Sequence, residues 1–201
     1  MRTPLQTRSS SSADRMLDAT LELLEAGGLQ AVTVAAVAQL AETSNGSLYH
    51  RFGDRAGLLL AAQDRALSTI ETETAAAFAR ADAEPDDTRA LRLLADAALD
   101  IFTRHRGPMR AFLVEGQGDA GLEQRNERSS HLLARTVCGW LRSRFDASPA
   151  DAEAAWRILF ALGASQALFD DAQVSPGTVG ADALADAVAR AIGAVVSRSA
   201  G

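Results

Sequence analysis

Three histidines (50, 105 and 131) and a single cysteine, Cys138, are the residues best suited to proton transfer, metal ligation or nucleophilic attack, and they stand far apart in the chain. No HExxH, no GxSxG and no phosphate-cradling glycine loop accompanies them. Carboxylates are spread along the whole sequence, and Asp82, Glu84, Asp86 and Asp87 have the setting of solvated surface and capping charges. Enzyme chemistry, a metal site and a resident cofactor are therefore not expected, and no residue is given a catalytic role. Cys138, between Val137 and Trp140, reads as an inert core thiol. A different chemistry is concentrated in one stretch. Thr33, then Ser44-Asn45-Gly46-Ser47, then Tyr49-His50-Arg51 and Arg55, supply hydroxyls, an amide, a phenol and two permanent cations. Groups of this kind hydrogen bond phosphate oxygens and base edges.

Such groups need rigid elements to hold them, and the composition points to helices. The 201 residues are 47% hydrophobic, 23% charged and 5% aromatic, with five prolines, a balance that suits an all-α protein with room for a core. Residues 1–12, with Arg2, Arg8 and the serines 9–12, are expected to form a flexible basic arm. Met16, Leu17, Thr20, Leu21 and Leu24 then recur at helical spacing until Gly27-Gly28 stops them. Thr33 is placed to cap a short helix carrying Val34, Val37, Ala38 and Ala41. A polar turn through Glu42 leads into a second short helix, with Leu48, Tyr49 and Phe52 as its large side chains. Gly53 ends that helix, and Asp54 caps a long one running to about Ala83. Further helices are expected from Leu91 to Phe102 with a stop at Gly107-Pro108, at Met109 to Leu113, and from Leu132 to near Phe145. Two more follow: one behind Ser148-Pro149 with its stripe reaching Ala167, and a last from Ala181 to Ser197, about nine in all.

Three short helices, with a turn of about four residues between the second and third, make a helix-turn-helix. The residues themselves resemble a known family. Val32-Thr33-Val34-Ala35-Ala36-Val37-Ala38, Ala41, Ser44-Asn45-Gly46-Ser47-Leu48-Tyr49-His50-Arg51-Phe52, Asp54-Arg55 and Leu58-Leu59 look like the DNA-binding signature of TetR-type regulators. The resemblance implies a three-helix DNA-binding domain over residues 13–60, followed over 61–201 by a larger helical domain for ligand binding and dimerisation. It implies that Thr33 caps the second helix and meets a phosphate, and that Ser44, Asn45 and Ser47 open the recognition helix. Gly46 allows close backbone approach. Tyr49 offers its phenol to phosphate, Arg55 takes the place of a phosphate-binding lysine, and His50 and Arg51 reach bases or backbone.

Two features depart from that pattern. The family's usual Ala-Gly-Val-Ser turn reads Ala41-Glu42-Thr43-Ser44 here. Glutamate in place of glycine costs about 1 kcal/mol if its φ is positive, and Thr43 is a candidate cap in place of an apolar residue. The net charge is -6, and residues 1–60 hold five arginines (2, 8, 15, 51, 55) against six acids (14, 18, 22, 25, 42, 54). Bulk charge therefore gives DNA binding no support, and local placement has to compensate.

One three-helix module reads too few base pairs, so a homodimer on a pseudopalindromic double-stranded operator is expected. Trp156, Leu159, Phe160, Gly163 and Ala167 on one late helix, with Leu184, Val188, Ile192 and Val195 on the last, are the expected dimer face; the alternative is that these stripes close the chain's own core. Phe102, Met109, Phe112, Leu113 and Trp140, with His105 and Gln117 as polar partners, are the expected lining of a pocket for a small apolar effector. Their spacing fits solid core equally well. With no apolar run long enough to span a bilayer and no signal segment, a cytosolic protein without membrane contact is expected. A helical ligand-binding or interaction protein without effective DNA binding is the other reading, kept open by Glu42 and the acidic total.

Overall fold

The computed structural model describes residues 4–197, with side chains from residue 12 onward. Ten α-helices and one π-helical turn make up its regular structure, and no strand occurs among the described residues. The helices are α1 (Pro4–Ala31), α2 (Val34–Leu40), α3 (Asn45–Phe52), α4 (Arg55–Ala83), α5 (Asp87–Arg104), α6 (Arg106–Arg110), α7 (Ala120–Phe145), α8 (Pro149–Leu168), α9 (Asp171–Val174) and α10 (Ala181–Val196). The π turn, Ala111–Glu115, follows α6.

The chain divides into two compact units. Unit one comprises Met1–Ser68 together with Gly107–Asn126, and unit two comprises Thr69–Arg106 with Glu127–Gly201. In unit one, Met16 and Leu24 from α1, Val37 from α2, Leu48 from α3 and Leu58 from α4 form a buried cluster that also takes in Phe112 and Leu122. In unit two, α10 lies along α5, and α8 packs on both. Leu91, Leu99, Val137, Leu141, Val188 and Ile192 fill that core.

Local chemistry sets the helix ends. Thr33, Ser44, Asp86 and Ser148 each accept the amide N–H three residues on, from Ala36, Ser47, Arg89 and Asp151. Each bond satisfies a donor that the first turn of a helix leaves unpaired. Gly27 and Gly28 interrupt α1, the second with φ of 64°, so the regular helix stops where the glycine pair predicts.

Three details differ from expectation. Residues 1–3 of the expected arm lie outside the described residues, and from Pro4 the backbone is already helical, there being no glycine or proline between Leu5 and Ala26 to prevent it. Helix α5 ends at Arg104, where the His105 N–H returns to the Ile101 carbonyl, so Gly107-Pro108 is not the stop. Pro108 instead sits in the first turn of α6, where a missing N–H costs nothing. Between the last two expected helices, where none was expected, lies α9, opened by a capping box of Asp170 and Gln173.

Candidate nucleic-acid interface

Helices α2 and α3 are joined by Ala41 to Ser44, and the turn has a defined hydrogen-bond pattern. The Thr43 N–H donates to the Ala38 carbonyl at 2.9 Å, and the Glu42 N–H to that of Gln39 at 3.2 Å. These are the two bonds of a Schellman closure, which needs a left-handed residue between the helix end and the next element. Glu42 occupies that position with φ of 51°. The cost expected for glutamate there is thus incurred. Thr43 is not the cap of α3; Ser44 is, because its backbone is extended and its Oγ lies 3.2 Å from the Ser47 N–H.

Leu48, 2% exposed, anchors α3 on unit one, with Phe52 partly buried beside it. Tyr49 departs from the expected apolar side: it is 53% exposed and stands out from the helix. Ser44, Asn45, Gly46, Ser47, His50 and Arg51 are exposed as well, and so is Thr33 at the start of α2. The Ser44 and Ser47 hydroxyls lie 3.0 Å apart. His50 and Arg51 fall in the last turn of α3, where a positive charge complements the helix dipole.

Gly46 needs no glycine on account of its own chain. A Cβ there would meet only the Ser44 Oγ, at an ordinary 3.8 Å. Glycine in a helix costs up to about 1 kcal/mol relative to alanine, so its presence at the exposed start of α3 fits close approach by something outside the protomer.

Arg55 makes two bonds within its own chain. Its Nε donates to the Val32 carbonyl at 2.6 Å and an Nη to the Leu29 carbonyl. The guanidinium ties the start of α4 to the segment between α1 and α2, so much of its donor capacity serves to hold Thr33 in place. Arg15 makes a weaker contact to the Ala41 carbonyl at 3.5 Å. Neither bracing role has a sequence signal, because the carbonyls lie 23 to 26 residues away. The acids of α1 are also engaged: Asp14 and Asp18 pair with Arg65 at 2.9 and 2.7 Å, and Glu25 accepts the Gly107 N–H.

The expected pocket residues are divided between the two units. In unit one Met109 and Phe112 are buried, Leu113 is partly buried, and Gln117 donates to the carbonyl of Leu113 on the surface. In unit two the Phe102 ring meets Phe160 edge-on, His105 Nε2 lies 2.9 Å from Glu73, and Trp140 stacks edge-on with Phe78 and Phe145. Trp140 also borders a hollow with Phe78 and Asp82. Cys138 is half-buried; burial first and the nearby Glu153 second push its thiol pKa up, which disfavours the nucleophilic thiolate.

The expected dimer face divides in two. Gly163, Ala167, Val188 and Ile192 are buried within the protomer. The Phe102 ring lies directly against the Gly163 backbone, so that glycine serves a contact between α5 and α8 of one chain. Trp156, Leu159, Phe160, Leu184 and Val195 are partly buried. Ala154, Ala161 and Leu162 on α8 and Ala183, Ala187, Ala191 and Ala194 on α10 are exposed, beside the exposed charges Glu153, Arg157, Asp182, Asp186 and Arg190.

The chain is similar to known proteins over most of its length. The family model described as bacterial regulatory proteins, tetR family, fits residues 16–62. The HTH-type transcriptional regulator BetI of Pseudomonas aeruginosa is 31% identical over 152 residues, 74% of this chain and 75% of the relative. Among solved structures, a TetR-family transcriptional regulator from Streptomyces coelicolor superposes with a TM-score of 0.69 at 19% identity, over 94% of this chain and 97% of that one. The transcriptional regulator FadR from Bacillus subtilis, solved in complex with stearoyl-CoA, gives 0.69 at 14% identity, over 89% and 96%.

Proposed function

The chain belongs to the TetR family of bacterial transcriptional regulators, and we propose that it is a cytosolic homodimeric repressor whose hold on a pseudopalindromic operator is set by a small apolar ligand. DNA-binding regulation is the family's activity; the exposure of the polar residues of α3 supports the assignments to residues. Ser44, Asn45, Gly46, Ser47 and Tyr49 form the exposed face of α3 that enters the major groove. Asn45 reads a base edge, Thr33, Tyr49 and Arg51 meet phosphates, and His50 lies at the edge of the contact. Arg55 supports this surface through the Leu29 and Val32 carbonyls, with its remaining N–H groups turned to phosphate. The observation that carries the reading is Gly46, a helix-weakening residue that the fold does not require, at the centre of an exposed polar face.

DNA contact falls to residues 13–60, and ligand binding and dimerisation to 61–201. From Ile158 to Leu168 helix α8 carries only Ser165 and Gln166 as polar side chains, which suits a segment covered on two sides. One side is buried in the protomer's own core. The other, with the small exposed residues of α10, is suited to close packing against the same helices of a second copy. The ligand enters the second domain; the stearoyl-CoA complex of FadR supports an apolar effector on this fold. No described helix is long and apolar enough to cross a membrane.

The test is Asn45→Ala. Against duplexes randomised one position at a time, it relaxes preference at one position in each half-site by about 1–3 kcal/mol, the worth of one bidentate base contact. Unchanged preference at every position removes Asn45, and with it α3, from the readout.

A further inference from the structure

Two glutamates away from the exposed face of α3 make reciprocal contacts inside unit one. Glu115, the last residue of the π turn, accepts the Leu29 N–H on its Oε2 at 2.7 Å, just beyond the break in α1. Glu25, on α1, accepts the Gly107 N–H at the same distance. The two bonds run in opposite senses between the same two segments, and each is of the stronger, charge-assisted kind. Each also abuts a glycine. A Cβ on Gly28 would fall on the Glu115 carboxylate, and a Cβ on Gly107 would fall on Glu25. Arg110 stands 3.6 Å from the other oxygen of Glu115.

We propose that Glu25 and Glu115 form a two-carboxylate clasp that positions the segment 29–33 for DNA and carries changes in residues 107–126 to it, an inference that rests on the DNA-binding reading above. Leu29 is held from both sides: its N–H by Glu115 and its carbonyl by Arg55. The segment it begins ends at Thr33, the cap of α2. The carboxylate on Leu29 comes from a π turn, a wound-up form that recurs at functional sites and has an α-helical alternative. Rewinding it by one residue turns the Glu115 side chain by roughly 100° about the helix axis and lifts it from Leu29. The present form is held by the Asn126 amide, which donates to the Phe112 carbonyl at 2.8 Å, while Asn126 accepts from Gln63 of α4 at 2.9 Å. Residues 107–126 are joined along the chain to Arg106 and Glu127 of unit two.

The test compares Glu115→Ala, Glu115→Asp and Glu115→Gln with the wild-type chain, using a duplex selected by the wild-type protein and anisotropy as the readout. Removing a negative charge from a DNA-binding unit strengthens binding if electrostatics alone act. The clasp predicts the reverse: Ala, and Asp with its shorter reach, weaken binding roughly tenfold, the scale of a lost charge-assisted bond. Gln, whose amide oxygen can accept the same N–H, retains most of the affinity. In the free proteins, amide hydrogen exchange at Leu29 quickens in Ala and Asp but not in Gln. Binding by the Ala and Asp variants that equals or exceeds wild type overturns the proposal, as does unchanged exchange at Leu29. If the wild-type chain selects no duplex, the DNA reading fails, and exchange at Leu29 alone decides whether the clasp exists.

Discussion

Replacing Glu42 by glycine separates backbone strain from charge in the turn between α2 and α3. Glu42 sits at φ of 51° within a Schellman closure whose two hydrogen bonds come from backbone N–H groups, so glycine leaves both intact. A left-handed φ costs a residue with a Cβ about 1–2 kcal/mol. Glycine recovers that, less the entropy it loses on folding, for a net gain of about 1 kcal/mol. For a chain of this size the gain raises Tm by about 2–4 °C. Glu42→Ala keeps the Cβ and drops the charge, so it leaves Tm unchanged. Glu42 is exposed at the entry to α3, and salt screens its repulsion of phosphate over a Debye length of about 8 Å. Both variants therefore bind a selected duplex more tightly than wild type at low salt, and the advantage shrinks as salt rises. Thermal unfolding followed by circular dichroism, with anisotropy titrations at two salt concentrations, reads both effects. A Tm for Glu42→Gly no higher than that of Glu42→Ala refutes the strain argument.

Arg55→Ala leaves the Leu29 and Val32 carbonyls without their charged donor and lowers stability by about 1.5–3 kcal/mol in denaturant titration; Arg55→Lys recovers only part, since an ammonium cannot span both. Gly163→Ala drives a methyl into the Phe102 ring and destabilises the protein by about 1–3 kcal/mol, read as a lower midpoint in the same titration. Burial, the largest single influence on Glu73, raises its pKa, yet hydrogen bonds from His105 and Arg104 and the attraction of both outweigh it, leaving the pKa below the ordinary 4.5. A depressed folded pKa means that the stability Glu73 contributes is fully present above pH 4.5 and is lost as pH falls through the lower folded value. Glu73→Gln therefore flattens the acid side of the stability profile, and an unchanged slope in that window contradicts the assignment.

Most of the local structure was legible because its causes are local. Thr33, Asp54 and Ser148 each bond an amide three residues along the chain, so residue type and spacing carry the information, although between the neighbours Thr43 and Ser44 they did not single out Ser44 as the cap. The strain at Glu42 was legible for the same reason. The bonds from Arg55 to Leu29 and Val32 were not legible, because those partners are remote in sequence and are backbone carbonyls, which leave no mark on residue identity. Gly163 illustrates a different limit. Its small size announces close approach, but not by what, and the neighbour is Phe102 of the same chain. Helical spacing likewise marked Val188 and Ile192 as apolar without saying which of two apolar sides they occupy. The clasp of Glu25 and Glu115 had no signal at all beyond two glycines whose purpose only the fold discloses.

Selection of bound duplexes from a random pool at low salt, followed by sequencing, tests the central claim most directly. An enriched inverted repeat, with half-sites one helical turn apart or a multiple of it, is the predicted outcome for two α3 helices related by a two-fold axis. A folded chain that enriches no sequence at any salt concentration contradicts the assignment of α3 as a reader of DNA.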